Sequence, residues 1–106
     1  MPKYLIQGSY TADGLKGLQK DKASGRRTAI ASAVEMLGGK LEATYFTFGR
    51  DDVIVILDLP DNVAASALSL SVSASGLVRT TTTPLLTVEE TDKALAKSIN
   101  YRAPGR

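Results

Sequence analysis

The 106-residue chain contains no cysteine and no histidine, and these two absences narrow its chemistry more than anything that is present. Without cysteine there is no disulfide framework, no thiolate metal site and no thiol nucleophile. Without histidine the chain lacks the usual general base near neutral pH and the commonest transition-metal ligand. Any proton transfer would fall to carboxylates, Lys, Arg, Tyr or backbone groups, and no metal or cofactor is expected. Aromatic residues make up only 6% of the chain and do not alternate with basic ones, as a surface that stacks and clamps single strands would require. The 13 Lys and Arg are nearly balanced by 11 Asp and Glu, so no nucleic-acid partner is expected. The opening stretch "MPKYLIQGSY" has one lysine and no long apolar run. It reads as neither signal peptide nor membrane span, and the expected setting is the cytoplasm. "GSYTADG" has glycines but not the strand–GxGxxG–helix spacing, and no Walker sequence occurs.

What is present fits one small domain. A chain of this length with 43% hydrophobic residues can bury one modest core. Residues 1–99 are expected to form it, with a patternless, mobile tail over 100–106. "KYLIQGSY" alternates with the two-residue period of a strand. After "TADG" the pattern turns helical, weakened by Gly14, Gly17 and "KDKASG", so a short helix, a break and a better helix are expected. In the better one Ile30, Ala33, Val34 and Leu37 share a face, and Gly38-Gly39 supplies a left-handed cap. "KLEATYFTF" and "VIVILDL" read as a hairpin about "GRDD". The second of these strands is apolar without alternation from Val53 to Leu57, so both of its faces should be buried. In "PDNVAASALSLSVSASG" the leucines alternate with serines as in a strand. Pro60, Asp61 as an N-cap, the alanines and the Gly76 stop favour a helix. "LVRTTTTP" is a β-branched strand. "TVEETDKALAKSI" starts a last helix with the capping box Thr87 and Glu90 and carries apolar residues to Ile99.

The order β, α, β, β, α, β plus a final helix is the split βαβ, or ferredoxin-like, α+β arrangement: a four-stranded antiparallel sheet with helices on one face. Two crossover helices cover that face and nothing remains to cover the other, although the third strand is apolar on both sides. A second copy of the chain, sheet against sheet about a two-fold axis, is the expected cover. The first partner expected is therefore the protein itself, as a homodimer or a higher homo-oligomer.

Several stretches then carry a family resemblance: "QGSYT" at 7–11, "AVEMLGGKLEATYFTFG" at 33–49, Asp52 before an apolar strand, "LPDN" at 59–62 and "TTPLLTVEE" at 82–90. As a set, spanning nearly the whole chain, they resemble the GYD-domain family of small bacterial and archaeal proteins. The resemblance implies a ferredoxin-like fold of the dimeric α/β barrel group, supports a helix over 61–75, and brings no defined activity with it. The namesake motif, Gly, one residue, Tyr, Asp, places Gly49 and Asp52 in register, with Asp51 where the tyrosine is expected. A ligand contact made through that tyrosine would be lost or changed here. Arg26 matches a basic position of the family.

The candidate residues can be weighed individually. Asp51 and Asp52 could act as a carboxylate pair in which like charges raise one pKa. Adjacent residues at a strand start point to opposite faces, however. Turn chemistry favours the reading in which Gly49 takes a positive φ and the aspartates bond the turn backbone. Arg26 could bind an anion or stand solvated at a helix start. Tyr45 and Phe48 could line a pocket between sheet and helices, or serve as core or interface. Arg79 shares a face with Thr81 and Thr83, where it needs water, a partner or an anionic ligand. Lys20, Lys22, Arg26 and Arg27 read as the exposed side of the helix break. Three functions stay open. First is a homo-oligomeric binder of a small molecule, between sheet and helices or at the subunit interface. Second is an assembly module without ligand. Third is a cofactor-free enzyme of the dimeric α/β barrel type acting on a small aromatic compound, an analogy of fold alone.

Overall fold

The computed structural model describes residues 1–106. Its elements are β1 (Lys3–Tyr10), α1 (Ala12–Met36), β2 (Lys40–Phe46), β3 (Val53–Asp58), α2 (Asn62–Ala74), β4 (Val78–Leu85) and α3 (Val88–Ala96). The strands form one antiparallel sheet in the order β2-β3-β1-β4. This is the ferredoxin-like order, with the two most apolar strands in the middle and the polar ones at the edges. Register sorts the side chains by face. Tyr4, Ile6, Val53, Val55 and Leu57 are buried under the helices, where they meet Val34, Leu59, Ala65 and Leu68. Leu5 lies opposite Ile56, and Gln7 opposite Ile54, on the other face.

The helices start and stop where local chemistry dictates. Thr11 caps α1 by accepting from Gly14 N at 3.2 Å, and Asp61 caps α2 by accepting from Ala64 N at 2.9 Å; each satisfies one otherwise unpaired N–H. At the end of α1, Gly38 has φ +79°. Gly38 N donates to Glu35 O and Gly39 N to Val34 O, the paired bonds of a Schellman motif. The expected break in the first helix falls at Lys22, whose φ is 67° and ψ 165°. The serine-leucine segment is a helix: Ala65, Leu68 and Val72 face inward while Leu70 is exposed. A 3.6-residue period thus divides residues that a two-residue period would have put on one side.

Three expectations need correction. Gly49 does not adopt a positive φ; the residues that do are Lys22, Gly38, Gly76 and Gly105. The hairpin corner is held by two backbone bonds at 2.8 Å: Asp52 N donates to Gly8 O of β1, and within the hairpin Thr47 N donates to Asp52 O. The last helix stops at Ala96, because Lys97 is extended with φ −73° and ψ 133°, so Ile99 lies beyond it. Within one chain, β3 is buried on only one face. Ile54 and Ile56 are half-buried, and no element lies over them.

Candidate functional site

The inward side chains of the two crossover helices join one core over the sheet. α1 rests on β2 and β1, α2 rests on β4, and the gap between them opens onto the middle of the sheet. Small residues create the gap: Gly14, Gly17, Ala29 and Ala33 on α1 face Ser71 and Ser75 on the α2 side. The resulting cleft has a volume of about 350 Å3, within the range of small-ligand sites. Its deeper end meets a narrower cavity of about 50 Å3 against Ile6, Val53 and Val55. Tyr10, Arg26, Ile30, Leu68, Val72 and Val78 line both, so the two adjoin.

Arg26 is the cation of this space. The break at Lys22 lies four residues earlier, and in the helix that restarts there Arg26 stands one turn before Ile30 and two before Ala33, on the inward stripe. Its Nε is buried and has no hydrogen-bond partner. The ion pairs of the protein are Lys3–Glu42, Lys3–Asp58 and Lys16–Asp13, so no carboxylate lies within 4.0 Å of the guanidinium. Asp21 is the one acidic residue of the lining, and it is exposed. A second open volume, about 450 Å3 between α2 and β4, is lined by Tyr4, Asn62, Ser66, Ser69, Thr82 and apolar neighbours. It contains no charged group.

The other candidate residues lie elsewhere. Asp51 and Asp52 diverge. Asp51 accepts from Ser9 Oγ at 3.1 Å and Gln7 Nε2 at 3.4 Å, whereas Asp52 accepts from the Tyr10 backbone N at 2.8 Å. The bonds run to β1 rather than to the turn's own backbone, so the two aspartates fasten the hairpin to the neighbouring strand. Tyr45 pairs with Ile54 on the open face and is 65% exposed, and Phe48 extends wholly into solvent from the β2–β3 loop. Arg79 is exposed opposite Ser9 on edge strand β4. Arg26 is therefore the one of these candidates that lines the cleft. Lys20, Lys22 and Arg27 are exposed, as expected for the outer side of the break. Sequence reasoning missed Tyr10, Leu18, Asp21 and the facing small residues. Extending the Ile30–Ala33 stripe back by four residues would have put Arg26 on the inward face.

At the far end of the sheet, Lys3 bridges Glu42 at 2.5 Å and Asp58 at 2.9 Å. The hydrogen bond to Glu42, then that to Asp58, raises the Lys3 pKa above its ordinary value. These contacts join three strands on the open face and are remote from the cleft.

With this geometry in place, comparison with known proteins gives one positive finding. The model of the GYD domain matches residues 4–95. The chain belongs to the GYD domain family. The match takes in all four strands, α1 and α2 and most of α3, hence every residue that lines the cleft. No curated protein matches the chain. No helix of this family member is long and apolar enough to cross a membrane.

Proposed function

We propose that this GYD-domain protein binds a small, largely apolar molecule in the cleft between α1 and α2. The observation that carries this reading is a cleft of about 350 Å3 held open by small side chains over an otherwise packed core. A cleft of this volume with a mostly apolar lining falls in the range of small-ligand sites. Gly17 gives the direct test, because a Cβ built there meets no atom within 4 Å. Gly17→Leu would put a side chain into the space, with the fold checked by circular dichroism. Native mass spectrometry of protein purified from its own host should show a retained small molecule in the wild type and none in Gly17→Leu. Absence of any retained molecule, together with no saturation-transfer signal from a neutral aromatic probe such as indole, would overturn the reading.

A second observation favours self-association, the arrangement of the dimeric α/β barrel group. The open face presents Leu5, Ile54, Ile56 and Ala43, none fully exposed and none covered by another element. Four strands of six to eight residues present roughly 400 Å2 in projection, less than the roughly 800 Å2 per partner of a standard interface. The remaining area would come from α3. Leu86, Val88, Leu95 and Ile99 of this arm are each at least 66% exposed, and every residue of α3 is exposed. In this reading a two-fold dimer packs sheet on sheet, with each arm laid against the partner.

A further inference from the structure

The cleft holds one feature that an apolar ligand alone does not account for. Burying one nitrogen of a guanidinium without an acceptor costs free energy, whereas nitrogens left in contact with water do not. Arg26 has no paired carboxylate and a buried Nε with no acceptor, although its surroundings include Ile30, Leu68 and Val72. The groups able to compensate it from the packed elements are few. Asp21, on the preceding turn, is exposed and beyond ion-pair distance, and Tyr10 contributes a phenol. From α2, Ser71 contributes a hydroxyl. Ser75 Oγ is already engaged, donating to Val72 O at 2.7 Å and accepting from Leu77 N at 3.1 Å.

Resting on the ligand-binding reading above, we propose that the occupant of the cleft is a small aromatic or branched aliphatic monocarboxylate. Its carboxylate accepts from the terminal nitrogens of the Arg26 guanidinium, and its hydrocarbon body lies along Ile30, Leu68 and Val72. The planar fork suits the two oxygens of a carboxylate, and charge-assisted pairs of this kind are about twice as strong as neutral hydrogen bonds. One guanidinium neutralises one negative charge. A second carboxylate on the ligand would meet the negative charge of Asp21 and no further cation, so dicarboxylates are selected against. The largely apolar lining leaves little to hydrate a dianion.

The test compares three probes on the full chain: phenylacetate, its neutral isostere phenylacetamide, and the dianion phenylmalonate. Affinity is read by calorimetry, and position by the methyl shifts of Ile30 and Val72. The wild type should bind phenylacetate roughly 10- to 100-fold more tightly than the amide, the equivalent of a hydrogen-bonded charge, and should bind phenylmalonate more weakly than phenylacetate. Arg26→Gln, checked for native circular dichroism, should abolish the preference, so that acid and amide bind with similar affinity. Arg26→Lys should restore part of it, since an ammonium supplies charge without the fork. Equal affinity for acid and amide in the wild type, or an undiminished acid preference in Arg26→Gln, would overturn the monocarboxylate assignment. If the amide still shifts the Ile30 and Val72 methyls in that case, the cleft stands as a binding site and only the charge requirement falls. If no probe moves those methyls, both readings fall together.

Discussion

Gly14 and Gly17 sit one turn apart on α1 for opposite reasons. A Cβ on Gly14 would lie 2.1 Å from Leu77 O, where Thr11 N already donates at 2.9 Å; the close approach of α1 to the start of β4 requires a residue without a side chain. Gly17 borders the cleft and faces open space. Gly17→Ala should therefore stabilise the protein by about 0.5–1 kcal/mol through helix propensity. Gly14→Ala should destabilise it by about 1–3 kcal/mol through overpacking. Urea unfolding of the two variants decides between them, and similar midpoints would contradict this account of the helix. The aspartates differ in the same measurable way. Asp52→Ala leaves the half-buried Tyr10 N–H without its charged acceptor and should cost about 1.5–3 kcal/mol. Asp51→Ala removes bonds between polar side chains at 3.1 and 3.4 Å and should cost no more than about 1 kcal/mol. The reverse order in a urea series would show that Asp51, at the position of the motif tyrosine, carries the larger structural burden.

Among the elements, α3 is the one whose stability is local. Its capping box is complete: Glu90 N donates to Thr87 Oγ1, and Thr87 N donates to Glu90 Oε1, both at 3.0 Å. Bonding to the Thr87 backbone N–H holds the Glu90 carboxyl below its ordinary value of 4.5. A carboxylate whose folded pKa is depressed contributes stability that is present above the unfolded pKa and is lost as pH falls through the folded one. The Cα shifts of residues 88–96 should thus report constant helicity down to about pH 4.5 and fraying below it. Glu90→Gln should flatten that dependence. A nine-residue helix with every residue exposed is marginal in water. If the arm lies against a partner, its helicity should also rise with protein concentration; a concentration-independent signal would detach it from assembly. The break in α1 shows the converse case, in which a weak local sequence is organised by packing. Around Lys22 the polar run "KDKASG" gives no strong helical preference, and the restart sets Arg26 on the inward stripe.

The whole molecule measures 55 × 33 × 22 Å, with a radius of gyration of 16.8 Å. A compact domain of this length would have about 13 Å. The excess reflects an arm that stands away from the body. An extended arm and an uncovered apolar sheet face on one chain are the two halves of the proposed dimer, and Ile56 lies between Leu5 and Ala43 on that face. Ile56→Lys should convert a dimer to a monomer in sedimentation velocity while leaving the protomer's circular dichroism intact, because the side chain is half-buried within its own chain. A wild-type monomer at micromolar concentration would remove the sheet-to-sheet proposal and leave the cleft untouched.

How much of this was legible beforehand depends on whether the deciding interaction is local. Caps are local, so Asp61, Thr87 and the Gly38-Gly39 pair act within four or five residues of themselves. The alternation in β1 and the continuous apolar run in β3 likewise announce which faces need cover, and together with the element order they lead to the ferredoxin-like sheet. The serine-leucine segment is the instructive case. Its two-residue period pointed to a strand, and capping and composition outweighed it because a helix over Asn62–Ala74 still places Ala65, Leu68 and Val72 on one side.

The residues alone therefore determined the elements, their order, the uncovered face and the absence of thiol and imidazole chemistry. Only the tertiary structure decided that Asp51 and Asp52 fasten a hairpin to β1, that Gly49 needs no left-handed turn, and that Tyr45, Phe48 and Arg79 lie away from Arg26. Those outcomes depend on strand register and on the distance between two helices packed on different strands. Both are set by contacts between residues tens of positions apart, which no local pattern records.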